Sequence, residues 1–378
     1  MTRKEFLKYL IRVSAGAGIA ASSGRLSQAL ADTRDLPVLV IGAGAAGLMA
    51  GYELQRRGID FRILEASAVF GGRVRKTTDF TDFPLDLGAE WIHSDEPQEL
   101  FRELLDDEDI RFEADLLAYQ PAEFIWEEGR LEKEPSLYTL EYKFKNTTWH
   151  DFLDLYLAPA SRGKIHYNSP VTKIDYAGTR TLVTTGKGEV FTADQLLVTV
   201  PLGVLKAGMI AFSPPLPPEK VKAIRDISFP PGLKVFFEFS DKFYPDAVET
   251  PERYYYDAAF GKDTARHILG LFCVGEGAES LIALPDEQAV VATVLGELDR
   301  IFAGKASALY QKHIVQNWSA EPYVRGSYSH NRNDPLRRAL LAPLGEKVYF
   351  AGEALDEYFD STVDGAAFSA LSVLEEMI

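Results

Sequence analysis

The feature that most limits the fold is a glycine-rich turn between a strand and a helix, close to residue 40. Leu36 to Ile41 is a short apolar run typical of a buried strand, and the segment 42–47, Gly-Ala-Gly-Ala-Ala-Gly, follows it at once. A helical pattern continues to Leu54, and a second apolar run, Phe61 to Leu64, ends in Glu65. This order of strand, glycine turn, helix, strand and acid predicts a βαβ unit that binds a dinucleotide.

Each position of this unit has a chemical task. The small residues Gly42, Gly44, Ala46 and Gly47 let the backbone turn sharply, so that a pyrophosphate group can approach the amino terminus of the helix. The carboxylate of Glu65 can accept hydrogen bonds from ribose hydroxyls, and an acid at this place favours FAD or NAD over NADP. The predicted fold class is therefore α/β (α+β overall), with a Rossmann-like dinucleotide domain.

Further motifs decide between FAD and NAD. Glu65 is followed by Gly71-Gly72-Arg73 and then by the segment 86–93, Asp-Leu-Gly-Ala-Glu-Trp-Ile-His. With these motifs the chain resembles the flavin-dependent amine oxidases, the family of the monoamine oxidases, the polyamine oxidases and the lysine-specific histone demethylases, and most of all its exported bacterial members. The resemblance runs from Leu36 to the carboxyl terminus. It implies FAD as the cofactor, with Arg73 as a planar donor to a phosphate group.

The resemblance implies further contacts with FAD. Val171 begins a series of strands and meets the adenine through its backbone, and Glu353 ends a buried strand in a motif similar to the family's Phe-Ala-Gly-Glu. The terminal helix begins near Thr362, with its amide dipoles directed at the flavin ring. The predicted cofactor contacts are Gly42, Gly44, Ala46, Gly47, Glu65, Gly72, Arg73, Gly88, Ala89, Glu90, Trp91, Val171, Gly352, Glu353, Thr362 and Val363.

Four residues are predicted to form the catalytic part of the site. Lys234 lies in a largely apolar run, 232–239, and the matching lysine of the family is bonded through a water molecule to flavin N5. Trp318 and Tyr328 match the family's aromatic motif, with Trp318 against the isoalloxazine ring and Tyr328 in a cage that attracts an amine. His93 matches a histidine near the substrate chain of polyamine oxidases. From residue type alone, a solvated lysine, packed aromatic rings and a structural histidine remain alternatives.

Several positions depart from the family pattern. Ser327 stands where members with covalent flavin carry Cys, so we predict non-covalent FAD. Ser67 and Val69 replace arginines, which removes expected contacts to adenosine and phosphate. Asp364 replaces a histidine, and a carboxylate there opposes negative charge on the reduced ring. The region 93–168 is short, so either the pocket is open or another chain completes it.

The length of 378 residues corresponds to about two domains. The matched motifs are spread over the chain, so both domains are predicted to be discontinuous. The FAD-binding domain comprises 34–94, 165–210 and 340–378, and the shortened substrate domain, of mixed sheet and helices, comprises 95–164 and 211–339.

The resemblance implies an FAD-dependent amine oxidase. Hydride passes from the α-carbon of a polyamine, or of another primary or secondary amine, to flavin N5. The imine is hydrolysed to an aldehyde or ketone, and O2 or another acceptor takes the electrons, O2 being reduced to hydrogen peroxide. Three alternatives remain open: an L-amino-acid oxidase with Arg325 as the cation for the substrate carboxylate, a desaturase that acts on an apolar substrate, and an FAD-binding partner subunit of an oligomer with weak or lost catalysis.

Charge and cysteine content argue against nucleic-acid binding, an internal disulfide and a metal site. Lys and Arg number 40 and Asp and Glu 56, so the net charge is −16, and a surface this acidic argues against nucleic-acid binding. Cys273 is the single cysteine and cannot form an internal disulfide. The cysteine and the six histidines show no ligand spacing, so no metal is predicted.

The amino-terminal residues 1–31 resemble an export signal. The basic residues Arg3 and Lys4 precede a Gly/Ala/Ser-rich stretch, and small residues follow where a peptidase cleaves. The segment 2–8 is similar to a twin-arginine signal with Lys4 in place of the second arginine, which predicts export to a bacterial periplasm. A frayed amino-terminal helix of a cytoplasmic protein is the alternative. No membrane span is predicted, because the longest uncharged run, 13–24, is far shorter than the roughly 20 apolar residues that a bilayer requires.

Overall fold

The computed structural model describes residues 37–111, 115–134, 141–330 and 334–378. The predicted export signal, 1–31, lies outside the described residues. The strands, in chain order, are β1 (Val38–Ile41), β2 (Phe61–Leu64), β3 (Lys76–Thr77), β4 (Leu85–Asp86), β5 (Leu116–Tyr119), β6 (Glu123–Glu127), β7 (Arg130–Lys133), β8 (Glu141–Phe144), β9 (Ile165–His166), β10 (Val171–Asp175), β11 (Thr181–Thr185), β12 (Val190–Ala193), β13 (Leu196–Val198), β14 (Ala211–Ser213), β15 (Gly232–Phe239), β16 (Ala247–Glu249), β17 (Tyr254–Asp257), β18 (His267–Val274), β19 (Tyr310–Asn317) and β20 (Val348–Phe350).

The helices are α1 (Ala45–Arg56), α2 (Pro97–Leu105), α3 (Trp149–Phe152), which continues through a π-helical turn at Leu153–Leu157 into α4 (Ala158–Ser161), α5 (Leu202–Lys206), α6 (Pro218–Asp226), α7 (Glu276–Ile282), α8 (Glu287–Ile301), α9 (Lys305–Leu309), α10 (Asp334–Leu341) and α11 (Val363–Met377).

Five parallel strands form the sheet that the βαβ motif predicts. Their order is β20-β13-β1-β2-β9, and helix α1 connects the neighbouring strands β1 and β2. Side chains alternate across β1, because Val38 and Val40 enter the core on one face and Leu39 and Ile41 the core on the other. A parallel sheet buried on both faces is typical of the α/β class, and the predicted fold class is confirmed.

Helices and a second sheet cover the two faces of the parallel sheet. Helices α1 and α11 pack together on one face, beside the fully buried Trp149. The other face packs against the four-stranded sheet β12-β11-β10-β14 and against helices α6 and α10. Segments that the sequence assigns to the substrate domain therefore also contribute to the core of the parallel sheet, through Trp149 and Ile224 among others.

The third large layer is a sheet of seven strands in the order β19-β15-β18-β17-β16-β6-β7. It is antiparallel except between β16 and β6. Along β15, Leu233, Val235 and Phe237 enter the core beside helix α8, whereas Phe236 belongs to the core on the opposite face. Because side chains alternate along a strand, Lys234 shares the face of Phe236 and is directed away from helix α8.

A two-stranded ribbon, β5 paired with β8, fills part of the short region between the two large sheets. Residue 117 pairs with Lys143 and Tyr119 with Glu141. An isolated bridge between Ile92 and Tyr142 attaches β8 to the segment 86–93. Glu141 and Lys143 are two residues apart and therefore share one face of β8.

Across the described ranges, none of the helices combines the length and the apolar character needed to cross a membrane. In the same part of the chain, no group of three or more His, Cys, Asp or Glu side chains is arranged as metal ligands would be. Cys273 is buried in β18, on the face that carries the core beside helix α8.

Candidate active site

A cavity of about 900 Å³ lies between the carboxyl ends of the parallel strands and the seven-stranded sheet. Its walls contain every residue that the sequence predicts for cofactor or substrate contact, with the exception of Gly47. Gly47 instead faces the turn, where an added Cβ would lie 1.9 Å from the carbonyl oxygen of Gly42. Its small size lets the helix pack on the turn, and it is not part of the cavity wall.

The nucleotide end of the cavity is built around the buried carboxylate of Glu65. Its Oε2 accepts a hydrogen bond from the amide of Ala43 at 2.7 Å, and its Oε1 accepts bonds from the amide and the hydroxyl of Ser67 at 2.8 and 2.7 Å. Two carboxylate oxygens offer about four acceptor positions, so capacity remains for a ribose hydroxyl. Ser67, which replaces an arginine of the family, thus orients the acid of the βαβ motif.

The glycines of the cavity wall leave the space that a dinucleotide requires. At Gly352 an added Cβ would meet nothing within 4 Å, and at Gly44 only the carbonyl oxygen of Gly71, at 3.9 Å. Gly44 also precedes helix α1 without a side-chain cap, so the first amides of that helix are directed at the cavity. Open room beside uncapped helix amides fits a pyrophosphate group, and these residues therefore fit FAD.

Arg73 and Glu353 form a partly buried ion pair in the cavity wall. Arg73 Nη1 donates to Glu353 Oε1 at 2.9 Å and to the carbonyl oxygen of Ser327 at 2.9 Å. Glu353 Oε2 accepts from the amide and the hydroxyl of Ser329, at 3.1 and 2.6 Å. The pair fixes the guanidinium at the place that the sequence predicts for a phosphate contact.

Lys234 is buried, 2% exposed, and its ammonium is held by two partners. Its Nζ donates to Glu90 Oε2 at 2.8 Å and to the carbonyl oxygen of Asp86 at 3.2 Å. Glu90 Oε1 accepts from Lys143 Nζ at 2.8 Å, and the Tyr256 hydroxyl donates to Oε2 at 2.5 Å. Both oxygens of Glu90 are thus bonded within the protein, to two ammonium groups and one phenol hydroxyl.

The contacts among Glu90, Lys143, Lys234 and Asp86 determine which of these groups are charged. Burial acts to raise the pKa of Glu90, but the ammonium groups of Lys143 and Lys234 outweigh it and lower the pKa to about 2. Burial and the neighbouring Glu90 raise the pKa of Asp86 well above its ordinary range. Burial lowers the pKa of Lys143, against the opposing effect of Glu90.

Aromatic rings form the wall next to Lys234. Tyr328 lies parallel to Phe272, with 6.3 Å between ring centres, and Trp91 meets Phe272 edge-on at 5.8 Å. Trp318 donates from Nε1 to the carbonyl oxygen of Leu87 at 2.9 Å, which fixes its ring in the wall. Trp91, predicted as a cofactor contact, belongs to this aromatic group.

Sequence reasoning did not identify several side chains of the site, namely Tyr119, Glu123, Glu141, Lys143, Tyr256 and Phe272. Phe272 sits on β18 opposite Lys234 in the register of β15 with β18, which brings both to the same face. A signal was present in the alternation of β8, where Glu141 and Lys143 share a face, but charged residues at such spacing usually mark a solvated strand face.

His93 lies at the cavity with its side chain half exposed. Its Nδ1 is 2.8 Å from Glu141 Oε1, and this hydrogen bond raises the pKa of His93 above its ordinary value. The imidazole is therefore oriented by the ribbon strand β8 and favours the protonated form.

Asp364 lies in the first turn of helix α11 and is 1% exposed. Its Oδ2 has no hydrogen-bond partner in the described residues, and burial raises the pKa of this carboxyl to about 6. The carboxyl that the resemblance places against the reduced ring is thus neutralised at a higher pH than an exposed aspartate.

Comparisons with known proteins agree with this arrangement. The pattern of the family described as "Flavin containing amine oxidoreductase" matches residues 45–156 and 151–378. Polyamine oxidase 5 of Oryza sativa subsp. japonica is 24% identical over 90% of this chain and 87% of its own length. Lysine-specific histone demethylase 1B of Mus musculus is 31% identical over 55% of this chain, which spans only 27% of that protein.

Among solved structures, a wild-type putrescine oxidase bound to putrescine has a TM-score of 0.76 at 16% identity, and the match covers 91% of this chain and 99% of that one. This likeness shows the fold. The chain belongs to the flavin containing amine oxidoreductase family. The family and the cofactor FAD predicted from the sequence are confirmed, whereas the roles of the individual site residues stay predictions.

The glycine at position 44 provides a test of cofactor binding that leaves the fold intact. We expect Gly44→Val to fold, because an added Cβ meets only Gly71 at 3.9 Å, and to bind less than about a tenth of the wild-type FAD, because its methyl groups enter the space for the pyrophosphate. The measurement is flavin absorbance after reconstitution, with circular dichroism as the test of folding. Gly296→Val, on helix α8 with open space around it, is the matched control. A yellow, correctly folded Gly44→Val protein would refute the placement.

The buried carboxyl of Asp364 predicts a pH-dependent stability. Below pH about 4 the group is neutral in the folded and unfolded states, so Asp364→Asn changes little. Between about 4 and 6 the unfolded state loses its proton first, so the free energy of unfolding of the parent falls relative to the variant. Above pH 6 the variant apoprotein is expected to be more stable than the parent apoprotein by up to about 3 kcal/mol. This free energy is the equivalent of a rise in the pKa of Asp364 from 3.8 to about 6.

Urea unfolding of both apoproteins from pH 4 to pH 8 measures this difference. Asp263→Asn, at an exposed surface position, is the control and should show no such divergence. A difference that stays constant over the whole pH range would contradict the prediction.

Proposed function

We propose that this protein is an FAD-dependent amine oxidase that acts on a polyamine or on another primary or secondary amine. The residues around the cavity fit FAD, which, when bound, supplies the acceptor for the hydride of the amine α-carbon and passes the two electrons to O2 to give hydrogen peroxide. The substrate leaves as an imine, and water hydrolyses the imine to an aldehyde or ketone and the free amine or ammonia.

The observation that carries this proposal is the position of the Lys234 ammonium. It is buried, bonded to Glu90, and lies in the same cavity wall as the parallel rings of Tyr328 and Phe272. A fixed cation stabilises negative charge that develops during electron transfer to dioxygen. The apolar rings disfavour a charged amine, so the neutral form that can donate hydride is favoured.

Three carboxylates in the cavity wall favour a cationic substrate. Glu123, Glu249 and Glu252 line the cavity, and Glu249 and Glu252 are exposed at its mouth, on either side of the turn between β16 and β17. Glu123 is buried and accepts a hydrogen bond from the Tyr254 hydroxyl at 2.9 Å. Carboxylates at a mouth attract ammonium groups, and a polyamine carries more than one.

An L-amino-acid oxidase is the second candidate, and the positions of the arginines argue against it. Arg325, the cation that the sequence offered for a substrate carboxylate, is exposed and does not belong to the cavity wall. Arg253 does line the cavity, but its guanidinium is bonded to Glu297 and to Ser280 Oγ. Arg73 and Arg75 also line the cavity, and they are bonded to Glu353 and Glu321. In the described part of the wall, each arginine is therefore already paired with a carboxylate of the protein.

Anaerobic mixing of the holoenzyme with amines and amino acids distinguishes the candidates. We expect putrescine, spermidine or a monoamine to bleach the oxidised flavin spectrum, and L-amino acids to leave it unchanged. Bleaching by amino acids alone would establish the second candidate. If no compound of either panel bleaches the flavin, the oxidase proposal is wrong and the FAD-binding partner subunit gains support.

Substitution of Lys234 separates the two half-reactions. In Lys234→Met we expect reoxidation of the reduced enzyme by dioxygen to slow by roughly 10²-fold, because the cation that stabilises developing negative charge is lost. Anaerobic reduction by the amine should change much less. Stopped-flow absorbance measures both rates. Lys312→Met, on the neighbouring strand β19 with a half-exposed side chain, is the control and should reoxidise at the wild-type rate. Equal reoxidation rates in both variants would show that Lys234 has no such role.

A further inference from the structure

A second buried lysine, Lys143, occupies a box of three aromatic rings beside the cavity. Its Nζ lies 4.5 Å from the ring centre of Trp91, 4.1 Å from that of Tyr119 and 4.4 Å from that of Tyr256. The residue is 4% exposed. Boxes of this kind bind the ammonium groups of ligands. In this protein the chain's own ammonium fills the box.

The cluster that contains Lys143 carries an excess of positive charge. In the described residues, Glu90 is the only carboxylate bonded to Lys143, and the same carboxylate also pairs with Lys234. The amine of Lys262 also lies nearby and donates to the carbonyl oxygens of Phe144 and Lys145. Burial lowers the pKa of Lys262, so the excess charge comes from Lys143 and Lys234. Asp86 does not offset these charges in full, because burial and Glu90 favour its neutral form.

The excess charge lies directly behind the wall of the substrate pocket. Glu90, Trp91, Tyr119 and Lys234 line the cavity, whereas Lys143 does not. Lys143 therefore acts on a bound molecule through this wall and not by contact. The surroundings are apolar and buried, so the charge is screened much less than it would be at the surface.

We propose that Lys143 is a built-in ammonium that makes the inner wall of the substrate pocket repel a protonated amine and, through Glu90, positions Lys234. This inference rests on the proposed amine oxidation. The amine enters as an ammonium ion, gives its proton to water in the open part of the cavity, and lies against the inner wall with a free electron pair. Lys143 is a positioning residue, because it contacts neither substrate nor cofactor in this arrangement.

Two consequences can be measured independently. Loss of the internal charge allows the bound amine to keep its proton to higher pH. It also removes positive potential from the surroundings of the flavin, so that negative charge on the reduced ring is stabilised less. The second effect does not require any amine substrate.

Lys143→Met is the variant that tests both, because a thioether fills the aromatic box without a charge. We expect the pH at half-maximal rate of anaerobic flavin reduction by putrescine, or by the fastest amine of the panel above, to rise by about one unit. We also expect the midpoint potential of bound FAD, measured by dye equilibration without amine, to become more negative. Lys143→Gln, which keeps a hydrogen-bond donor to Glu90, should show the same two changes and replaces the Met variant if that protein fails to hold FAD.

Two controls separate charge from packing. Lys143→Arg alters the packing in the aromatic box but keeps the positive charge, and should leave both the pH profile and the potential near wild type. Lys222→Met removes a charge from an exposed position on helix α6 and should also leave both unchanged. The inference is wrong if Lys143→Met alters neither quantity, or if Lys143→Arg alters both to the same extent. If no amine reduces the wild-type flavin, the proposed function fails, and the potential alone decides the role of Lys143.

Discussion

One carboxylate, that of Glu90, is shared between two lysines and joins three segments beside the cavity. Glu90 follows strand β4, Lys234 belongs to β15 of the seven-stranded sheet, and Lys143 belongs to the ribbon strand β8. All three side chains are buried, and a buried charge without a partner is strongly destabilising. The three segments therefore have one favourable arrangement, in which the Lys234 ammonium is fixed before any ligand arrives. A catalytic group that is positioned in advance requires no reorganisation when charge develops beside it.

The parts of this site that could be predicted are those with a local signal. The βαβ unit shows the strand and helix periods, the glycines and the acid within thirty residues, and structure and family both agree with it. Lys234 was identified through the resemblance, because it lies in a largely apolar run at the position of the family's lysine. Gly47 shows the limit of motif reasoning, since the motif is right but the residue serves the packing of the turn and not the cavity wall.

The parts that could not be predicted depend on pairing between distant segments. Lys143 lies on β8, a strand of four residues, and the strand that pairs with it, β5, is more than twenty residues earlier in the chain. The carboxylate that binds Lys143 belongs to Glu90, 53 residues away. Nothing in the residue type distinguishes such a lysine from a solvated one. The role of Ser67 could not be predicted either. Because Ser67 replaces an arginine of the family, the sequence indicated fewer contacts to FAD. The amide and hydroxyl of Ser67 instead orient Glu65, so the substitution changes the means by which the acid is held.

Electrostatics act in opposite directions at two distances from the reacting atoms. The net charge of −16 and the glutamates at the cavity mouth attract a cation from solution. At the inner wall, the ammonium groups of Lys143 and Lys234 share the one carboxylate of Glu90, and the apolar rings weaken the hydration of any charge. An amine that is drawn inward as an ammonium ion therefore meets conditions that favour its neutral form only at the end of its path. In the proposed reaction, this gradient separates capture, which needs the positive charge, from hydride donation, which needs the electron pair, and no protein base is required at the reacting nitrogen.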